Sequence, residues 1–165
     1  MTATATSPQM RQIVDWGASL WAGLVAGVVL LILHLFVIPA LIGGNAWVII
    51  RFTASVVMGS QVLPPPADPS ISVLLVALFV HFVISILASL ILAFLIHRWG
   101  LLVGIISGAL FGLALYAINF YSFSYFFPWF FAIGNWTFVL THVIFGAVSG
   151  GVYEALEVEE FVPTD

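Results

Sequence analysis

The chain alternates between long apolar runs and short polar breaks, and this pattern predicts four membrane-spanning helices. A helix needs about 20 consecutive apolar residues to cross the core of a bilayer. Four runs are long enough, and we predict spans over about 16–40, 71–96, 101–120 and 135–156. The predicted fold is an all-α four-helix bundle in a single membrane domain, residues 1–165, with an acidic tail over 157–165.

Two segments between these runs are apolar but do not fit a further crossing. Residues 45–63 carry Arg51 in their middle and are followed by Pro64, so we interpret them as an interfacial or short re-entrant helix. The stretch 120–131 is dense in Phe, Tyr and Trp. Because aromatic side chains prefer the headgroup level of a membrane, this stretch predicts an interfacial cap between the third and fourth spans.

The composition supports a membrane protein and excludes several classes. The 165 residues are 63% hydrophobic and 6% charged, whereas soluble domains are about 45–50% apolar and about 25% charged. The net charge of −4 offers no basic surface for nucleic acid, and the absence of cysteine excludes disulfides and thiolate metal ligands. We expect its partners to be the lipid bilayer and either other membrane subunits or further copies in a homo-oligomer.

Three arginines set the predicted orientation. Arg11 and Arg98 fall on one side of the membrane, and Arg51 falls on the other. The side that carries more basic residues is normally cytoplasmic. The sequence therefore predicts that the N- and C-termini are both cytoplasmic.

Small residues recur at four-residue spacing on every predicted span. Helices in lipid pack through such residues, which let two backbones approach closely, and this spacing keeps them on one face. The predicted packing residues are Gly23, Gly27, Ser85, Ser89, Gly104, Gly108, Gly112, Gly146 and Gly150.

Five polar side chains extend these packing faces, so we expect them to point toward neighbouring helices. They are His34, His81, His142, Tyr116 and Asn119. Counted from the predicted helix ends at about 1.5 Å per residue, the histidines reach similar depths in the non-cytoplasmic half. The spacing predicts one histidine layer, with the tyrosine and the asparagine at or just above it.

Several uses fit such a layer. Neutral imidazole binds haem iron and divalent metals, so His81 and His142 are candidate axial ligands of haem b. With His34 they form a candidate metal site with one open position. Quinone binding, a proton relay and a transport pathway are further alternatives, as are imidazoles that only hydrogen-bond across helices. His97 lies at the opposite boundary beside Arg98, and we interpret it as an interface anchor.

The sequence contains no Gly-rich phosphate loop, no HExxH motif and no GxSxG motif. We therefore expect a non-enzymatic accessory or structural subunit, or an interaction protein, of a larger membrane complex. A haem b- or metal-binding membrane protein, linked to electron transfer or quinones, is one alternative. A small oligomeric transporter or channel is another.

Short motifs resemble those of small bacterial inner-membrane proteins of unassigned function, which are sometimes labelled "sodium:proline symporter". The similar motifs lie at 21–27, 62–66, 81–83, 112–116, 119–121, 127–130 and 142–146. The resemblance implies a bacterial inner-membrane location and no particular mechanism. In that group the position of His34 can be glutamate, which argues against a strict three-histidine haem or zinc site. Sodium symporters have many more helices, with internal repeats, so that label does not fit four spans.

Overall fold

The computed structural model describes residues 9–163. Within them, four helices are long and apolar enough to cross a bilayer, which confirms the predicted four-helix bundle of an integral membrane protein. Residues 164 and 165 of the predicted acidic tail lie outside the described residues. The spanning helices are α1 (Trp16–Ile42), α3 (Ile71–Ile96), α4 (Leu101–Phe126) and α5 (Trp136–Leu156), and the shorter α2 (Ala46–Met58) precedes α3.

The helices pack in an order that leaves one gap. Helix α4 packs along α5, α5 along α1 and α1 along α3, while α2 packs on α3. Helices α3 and α4 are consecutive in the chain, yet they touch each other little. The three predicted histidines of the spans, with Tyr116 and Asn119, line the space at this gap.

The predicted packing glycines of α4 and α5 lie at a close helix contact. Gly104, Gly108 and Gly112 face α5 so closely that a Cβ on any of them would overlap an α5 atom. The reverse holds for Gly146 and Gly150, whose Cβ atoms would overlap carbonyl oxygens of α4. The two backbones are thus in direct contact, which only glycine permits.

Buried serines join three helices by hydrogen bonds. Ser149 Oγ of α5 donates to Ser89 Oγ of α3 at 2.9 Å, and Ser89 Oγ donates to the carbonyl oxygen of Ser19 in α1 at 2.9 Å. All three residues are almost fully buried. Ser89 is therefore a hydrogen-bonding residue as well as a small one. The other predicted small residues at the α1–α3 contact pack there too: Gly23, Gly27 and Ser85.

One turn of α1, Leu33–Val37, is a π-helix. Pro39 follows it, and a proline can neither donate to the preceding turn nor fit against its carbonyl group in a regular α-helix. The wider turn relieves this conflict, and the amide of Ile38 bonds to the carbonyl of Leu33 instead. Such turns are frequent at functional sites, and His34 lies in this one.

One predicted helix end was wrong, and another differs slightly from the structure. The third span continues to Phe126, so residues 120–126 belong to α4, and the cap is reduced to the short 3₁₀ segment Pro128–Ile133. Nothing in 120–126 breaks a helix, and aromatic residues are compatible with both a helix and an interfacial loop. The first span likewise continues to Ile42 and ends at Gly43, where φ is 78°.

A two-stranded antiparallel ribbon was not predicted. Strand β1 (Met10–Ile13) precedes α1 and pairs with β2 (Glu160–Pro163), which follows α5. Part of the predicted acidic tail is therefore paired strand rather than a free segment. We call this the ribbon end of the bundle, and we call the opposite end, which holds α2 and Pro128–Ile133, the aromatic end.

Asp15 connects the start of α1 to the segment after α5. Its Oδ1 atom accepts a hydrogen bond from the amide of Ala18 at 2.9 Å, and its Oδ2 atom accepts one from the amide of Val158 at 3.1 Å. These amide donors hold the pKa of Asp15 below its usual value, against the smaller opposing effect of burial. Asp15 is therefore the N-cap of α1, and it also joins the start of α1 to the segment that follows α5.

We expect Asp15→Ala to lower the free energy of unfolding by about 1 kcal/mol at neutral pH. A carboxylate whose pKa is lowered by folding stabilises the fold above the pKa of its unfolded state and loses that effect as pH falls through the folded pKa. The difference in the free energy of unfolding between Asp15→Ala and wild type should therefore become smaller below about pH 4. Thermal melts in detergent over a pH series measure it, with Asp68→Ala at an exposed residue as the control. If that difference did not change with pH, the stabilising role given to the Asp15 carboxylate would be wrong.

Candidate functional site

A cavity of about 150 Å³ lies between α3 and α4 in the half of the bundle nearer the aromatic end. All five helices and the segment Pro128–Ile133 contribute to its wall. The five polar residues singled out by their spacing all line it: His34, His81, Tyr116, Asn119 and His142. Aromatic rings form much of the remaining wall: Phe52, Phe120, Phe123, Phe130, Phe138 and Phe145. We call this space the histidine cavity.

The polar rings lie close to one another. The ring centroid of His34 is 6.0 Å from that of His142, and the ring centroid of Tyr116 is 5.5 Å from that of His142. These residues come from α1, α5 and α4. The structure therefore brings side chains from three separate helices into one layer, as the spacing predicts.

A contact between α3 and α1 fixes the ring of His81. Its Nε2 atom lies 2.8 Å from the carbonyl oxygen of Gly27. A carbonyl oxygen can only accept, so the ring proton is on Nε2. In the neutral ring Nδ1 is then left as a hydrogen-bond acceptor.

His142 and His34 are oriented through one backbone carbonyl. His142 Nδ1 donates to the carbonyl oxygen of Phe138 at 2.8 Å, so Nε2 of the neutral ring is an acceptor. Thr141 Oγ1 donates to the same oxygen at 3.0 Å. Because the hydroxyl proton is used there, Thr141 Oγ1 accepts from His34 Nε2, at 3.1 Å. His34 Nδ1 is therefore also an acceptor.

The cavity thus collects unused hydrogen-bonding groups in an apolar setting. Among residues 9–163, no Asp, Glu, Lys or Arg lines it, so a protonated imidazole would be an unpaired charge and the neutral form is favoured. The Tyr116 hydroxyl and the Asn119 amide make no side-chain hydrogen bond within residues 9–163. The second nitrogens of the three imidazoles are also free. The fully buried polar atoms that lack a partner are found elsewhere: Ser19 Oγ, Arg51 Nε, Ser124 Oγ, Thr137 Oγ1 and Glu154 Oε1.

Helix α2 covers the cavity at the aromatic end. Trp129 Nε1 donates to Ser55 Oγ at 2.9 Å, and the rings of Phe52 and Phe130 meet edge to face at 5.8 Å between centroids. These contacts join α2 to the segment Pro128–Ile133. The sequence predicted a helix over 45–63 but not its role as a cover. Its cavity-lining residues share one face of the helix: Ile49, Phe52, Thr53 and Val56.

Arg51 holds the loop after α2. Its guanidinium donates to the carbonyl oxygens of Val62 at 2.7 Å and of Asp68 at 2.9 Å. It therefore bridges two points of the backbone that connects α2 to α3. This bridge joins α2 to the loop that leads to α3.

The predicted metal and haem sites do not fit this geometry. In the described part of the chain, no three His, Asp or Glu side chains are arranged to hold a metal ion. Each imidazole is oriented by a different partner, so sharing a cavity does not make the free nitrogens of His34, His81 and His142 converge. The cavity of about 150 Å³ is also below the range of about 300–1,000 Å³ for drug-sized ligands, and a haem is larger than most of these.

His97 is separate from this site. It is almost fully buried at the ribbon end. Its Nδ1 atom donates to the carbonyl oxygen of Phe94 at 3.0 Å, and its Nε2 atom accepts from Arg98 Nε at 3.2 Å. Both ring nitrogens are engaged, so His97 completes the end of α3.

Comparison with known proteins finds no family model that matches the chain, and no match among curated proteins or solved structures. The function proposed below therefore rests on the geometry of the histidine cavity.

Proposed function

We propose that this membrane protein binds a small lipophilic molecule in the histidine cavity and holds it without reacting it. The observation that carries the proposal is the meeting of His34, His81 and His142, each with a free acceptor nitrogen, around a space that is lined mostly by apolar side chains. An unpaired polar group in an apolar setting costs free energy. A ligand with a complementary polar group would remove that cost.

The size and the walls of the cavity indicate what such a ligand looks like. A cavity of about 150 Å³ is large enough for a single benzene-sized ring. Phe120, Phe138 and Phe145 are among the rings that would contact it, face or edge on. The ligand would therefore be one ring, or a group of similar size, with one or two polar substituents. The poorly packed gap between α3 and α4 is the proposed route from the bilayer.

An accessory role in a larger membrane complex agrees with this proposal. A protein that holds a ligand without reacting it supplies that ligand to a partner, which would be another membrane subunit or a second copy. A transport pathway through one copy is not favoured, because the cavity ends at Leu30, Ala88 and Phe145. Beyond them the ribbon half is tightly packed, with Ser89 hydrogen-bonded to α1 and α5.

We also propose a bacterial inner-membrane location with the ribbon end in the cytoplasm. The pairing of β1 with β2 supports the two flanking segments lying on the same side. Arg11 and Arg98 belong to that end, whereas Arg51 belongs to the aromatic end. The bias of arginine toward the cytoplasm supports this orientation, and the resemblance of the short motifs supports the choice of membrane.

Blocking the cavity tests the proposed function. Ile84 lines the cavity from α3, and Ile84→Trp would fill part of it. We expect para-fluorophenol to bind the purified full chain saturably, with at least about tenfold weaker binding to this variant, because the indole would occupy the space of the ring. Fluorine NMR of the probe in detergent, titrated with protein, measures the affinity.

The matched control is Leu87→Trp, one turn further along α3, where the side chain is 54% exposed on the outside of the bundle. It adds the same indole without entering the cavity, so wild-type binding is expected. Equal association of the probe with wild type and with both variants would mean that it only coats the apolar surface, and the proposed function would be wrong.

A further inference from the structure

We infer that the histidine cavity selects a ring that carries a hydroxyl group over the same ring without a hydrogen-bond donor. This inference rests on the proposed function and names the class of its ligand. The class is a neutral phenol, which is also the chemistry of a hydroquinone head group. This choice of ligand class follows from the hydrogen bonds of the three imidazoles, whose ring protons are already donated to protein groups.

Each imidazole donates its only proton to the protein. His81 donates to Gly27, His142 to Phe138 and His34 to Thr141. Three ring nitrogens therefore remain as acceptors on residues that line a single cavity. A ligand that offers only an acceptor, such as a ketone or an ether, would add another lone pair and satisfy neither His81 nor His142, whose tautomers are fixed by backbone carbonyls. A hydroxyl group supplies the missing proton.

Two of these acceptors cannot become donors by tautomerisation. If the proton of His81 moved to Nδ1, the lone pair of Nε2 would face the carbonyl oxygen of Gly27 at 2.8 Å. His142 faces the carbonyl oxygen of Phe138 at the same distance. In each case the ring would lose a hydrogen bond and gain a repulsion, so both tautomers are fixed.

His34 is different because its partner is a hydroxyl. If the Thr141 hydroxyl rotates to donate to His34 Nε2, the proton of His34 can move to Nδ1. The carbonyl of Phe138 would still accept from His142. His34 can thus match either a donor or an acceptor on the ligand, whereas His81 and His142 match only a donor.

Tyr116 and Asn119 complete the pattern. Both line the cavity, and each carries a donor that is free within the described part of the chain. A ligand hydroxyl can donate to an imidazole nitrogen and accept from one of these two side chains. A carbonyl or ether oxygen can only accept, so it cannot pair with the fixed acceptors of His81 and His142. A hydrogen-bond donor on the ligand is therefore what separates ligands that this cavity prefers from those that it does not.

The charge of the site also limits the ligand. No charged side chain from any of the five helices lines the cavity. A carboxylate or an ammonium group would have no counter-charge, so it would be disfavoured on desolvation. The neutral phenol fits this setting.

An isosteric pair of probes tests the inference. Para-fluorophenol and para-fluorotoluene have nearly the same shape, but only the first has a donor. After correction for partition into the detergent, we expect wild-type protein to bind the phenol at least about tenfold more tightly, as the loss of a buried hydrogen bond implies. Fluorine NMR titration measures both, with Ile84→Trp giving the background.

A variant locates the effect. His142→Phe keeps a ring but removes the Nε2 acceptor, and Thr141 still donates to the carbonyl of Phe138. We expect the preference for the phenol to fall several-fold while para-fluorotoluene binds as before. A merely structural effect would weaken both probes equally. His81→Phe is the second variant, since it removes the other fixed acceptor. If both variants failed to fold, the comparison of the two probes on wild-type protein would still test the inference.

The outcomes separate the two proposals. Equal binding of both probes to wild type would overturn the hydroxyl preference and leave the cavity as a binding site. Tighter binding of para-fluorobenzaldehyde than of the phenol would overturn it as well. If neither probe binds more tightly to wild type than to Ile84→Trp, the proposed function itself fails.

Discussion

Gly146→Ala is expected to lower the melting temperature by about 5–10 °C, since overpacking costs about 1–3 kcal/mol or more and each kcal/mol corresponds to about 2–4 °C at this chain length. A Cβ at Gly146 would overlap the carbonyl oxygen of Gly108 and come 2.8 Å from the amide nitrogen of Gly112. Both are backbone atoms, so no rotamer change relieves the clash. Helices α4 and α5 must separate along their extensive contact.

Gly151→Ala is the matched control on the same helix. There a Cβ would meet only the side chain of Ile105, with Cγ1 at 3.0 Å, and that side chain can move. Alanine is also the better helix former by about 1 kcal/mol. We therefore expect an unchanged or higher melting temperature, measured by circular dichroism in the same detergent. If both variants melt like wild type, close contact between α4 and α5 is not needed for stability.

Arg51→Gln is expected to release the loop between α2 and α3. The guanidinium donates to the carbonyl oxygens of Val62 and Asp68, at 2.7 and 2.9 Å, and hydrogen bonds from charged donors contribute about 1.5–3 kcal/mol each. The residue is half-buried, so the lower part of that range applies. We expect amide hydrogen exchange over 60–68 to become at least about tenfold faster. Mass spectrometry of the exchanged protein measures it.

Arg98→Gln tests whether any lost arginine has this effect. Arg98 is exposed at the ribbon end, and its hydrogen bond goes to His97. We expect exchange over 60–68 to stay as in wild type. If Arg51→Gln also left that exchange unchanged, the two carbonyl contacts of Arg51 would not be what holds the loop. A released loop should also weaken para-fluorophenol binding, because α2 covers the cavity.

Much of the bundle and the polar layer could be predicted because both follow from one-dimensional spacing. Four apolar runs of sufficient length give four helices. The helical period then determines which residues share a face, so Gly108 and His142 could be assigned to contact surfaces before any distance was known. The structure puts His34, His81 and His142 around one cavity for the same reason.

The orientation of each ring could not be predicted. Spacing gives the face of a helix but not the rotamer, and the partners of His81 and His34 lie on helices far away in the chain. The candidate haem and metal sites depended on nitrogens that converge. The hydrogen bonds instead turn each ring toward a different protein group, which leaves acceptors suited to a smaller ligand.

Two further features have no local signal. In a membrane protein the lipid-facing and protein-facing sides of a helix are both apolar, so the pattern of α2 does not show which side covers a cavity. The pairing of Met10 with Pro163 joins positions at opposite ends of the described chain. Long-range pairing of this kind depends on where the helices deliver the two strands.

The ribbon has a consequence for the order in which the fold is completed during synthesis. Strand β1 and α1 leave the ribosome before α5 and β2, yet both are finished by contacts with those last segments. Until Ser149 of α5 has been synthesised, Ser89 of α3 lacks the hydrogen bond that Ser149 donates to it, and only its bond to Ser19 of α1 can form. Helix α1 therefore lies in the bilayer with an incomplete interface until α5 has been synthesised and packs against it.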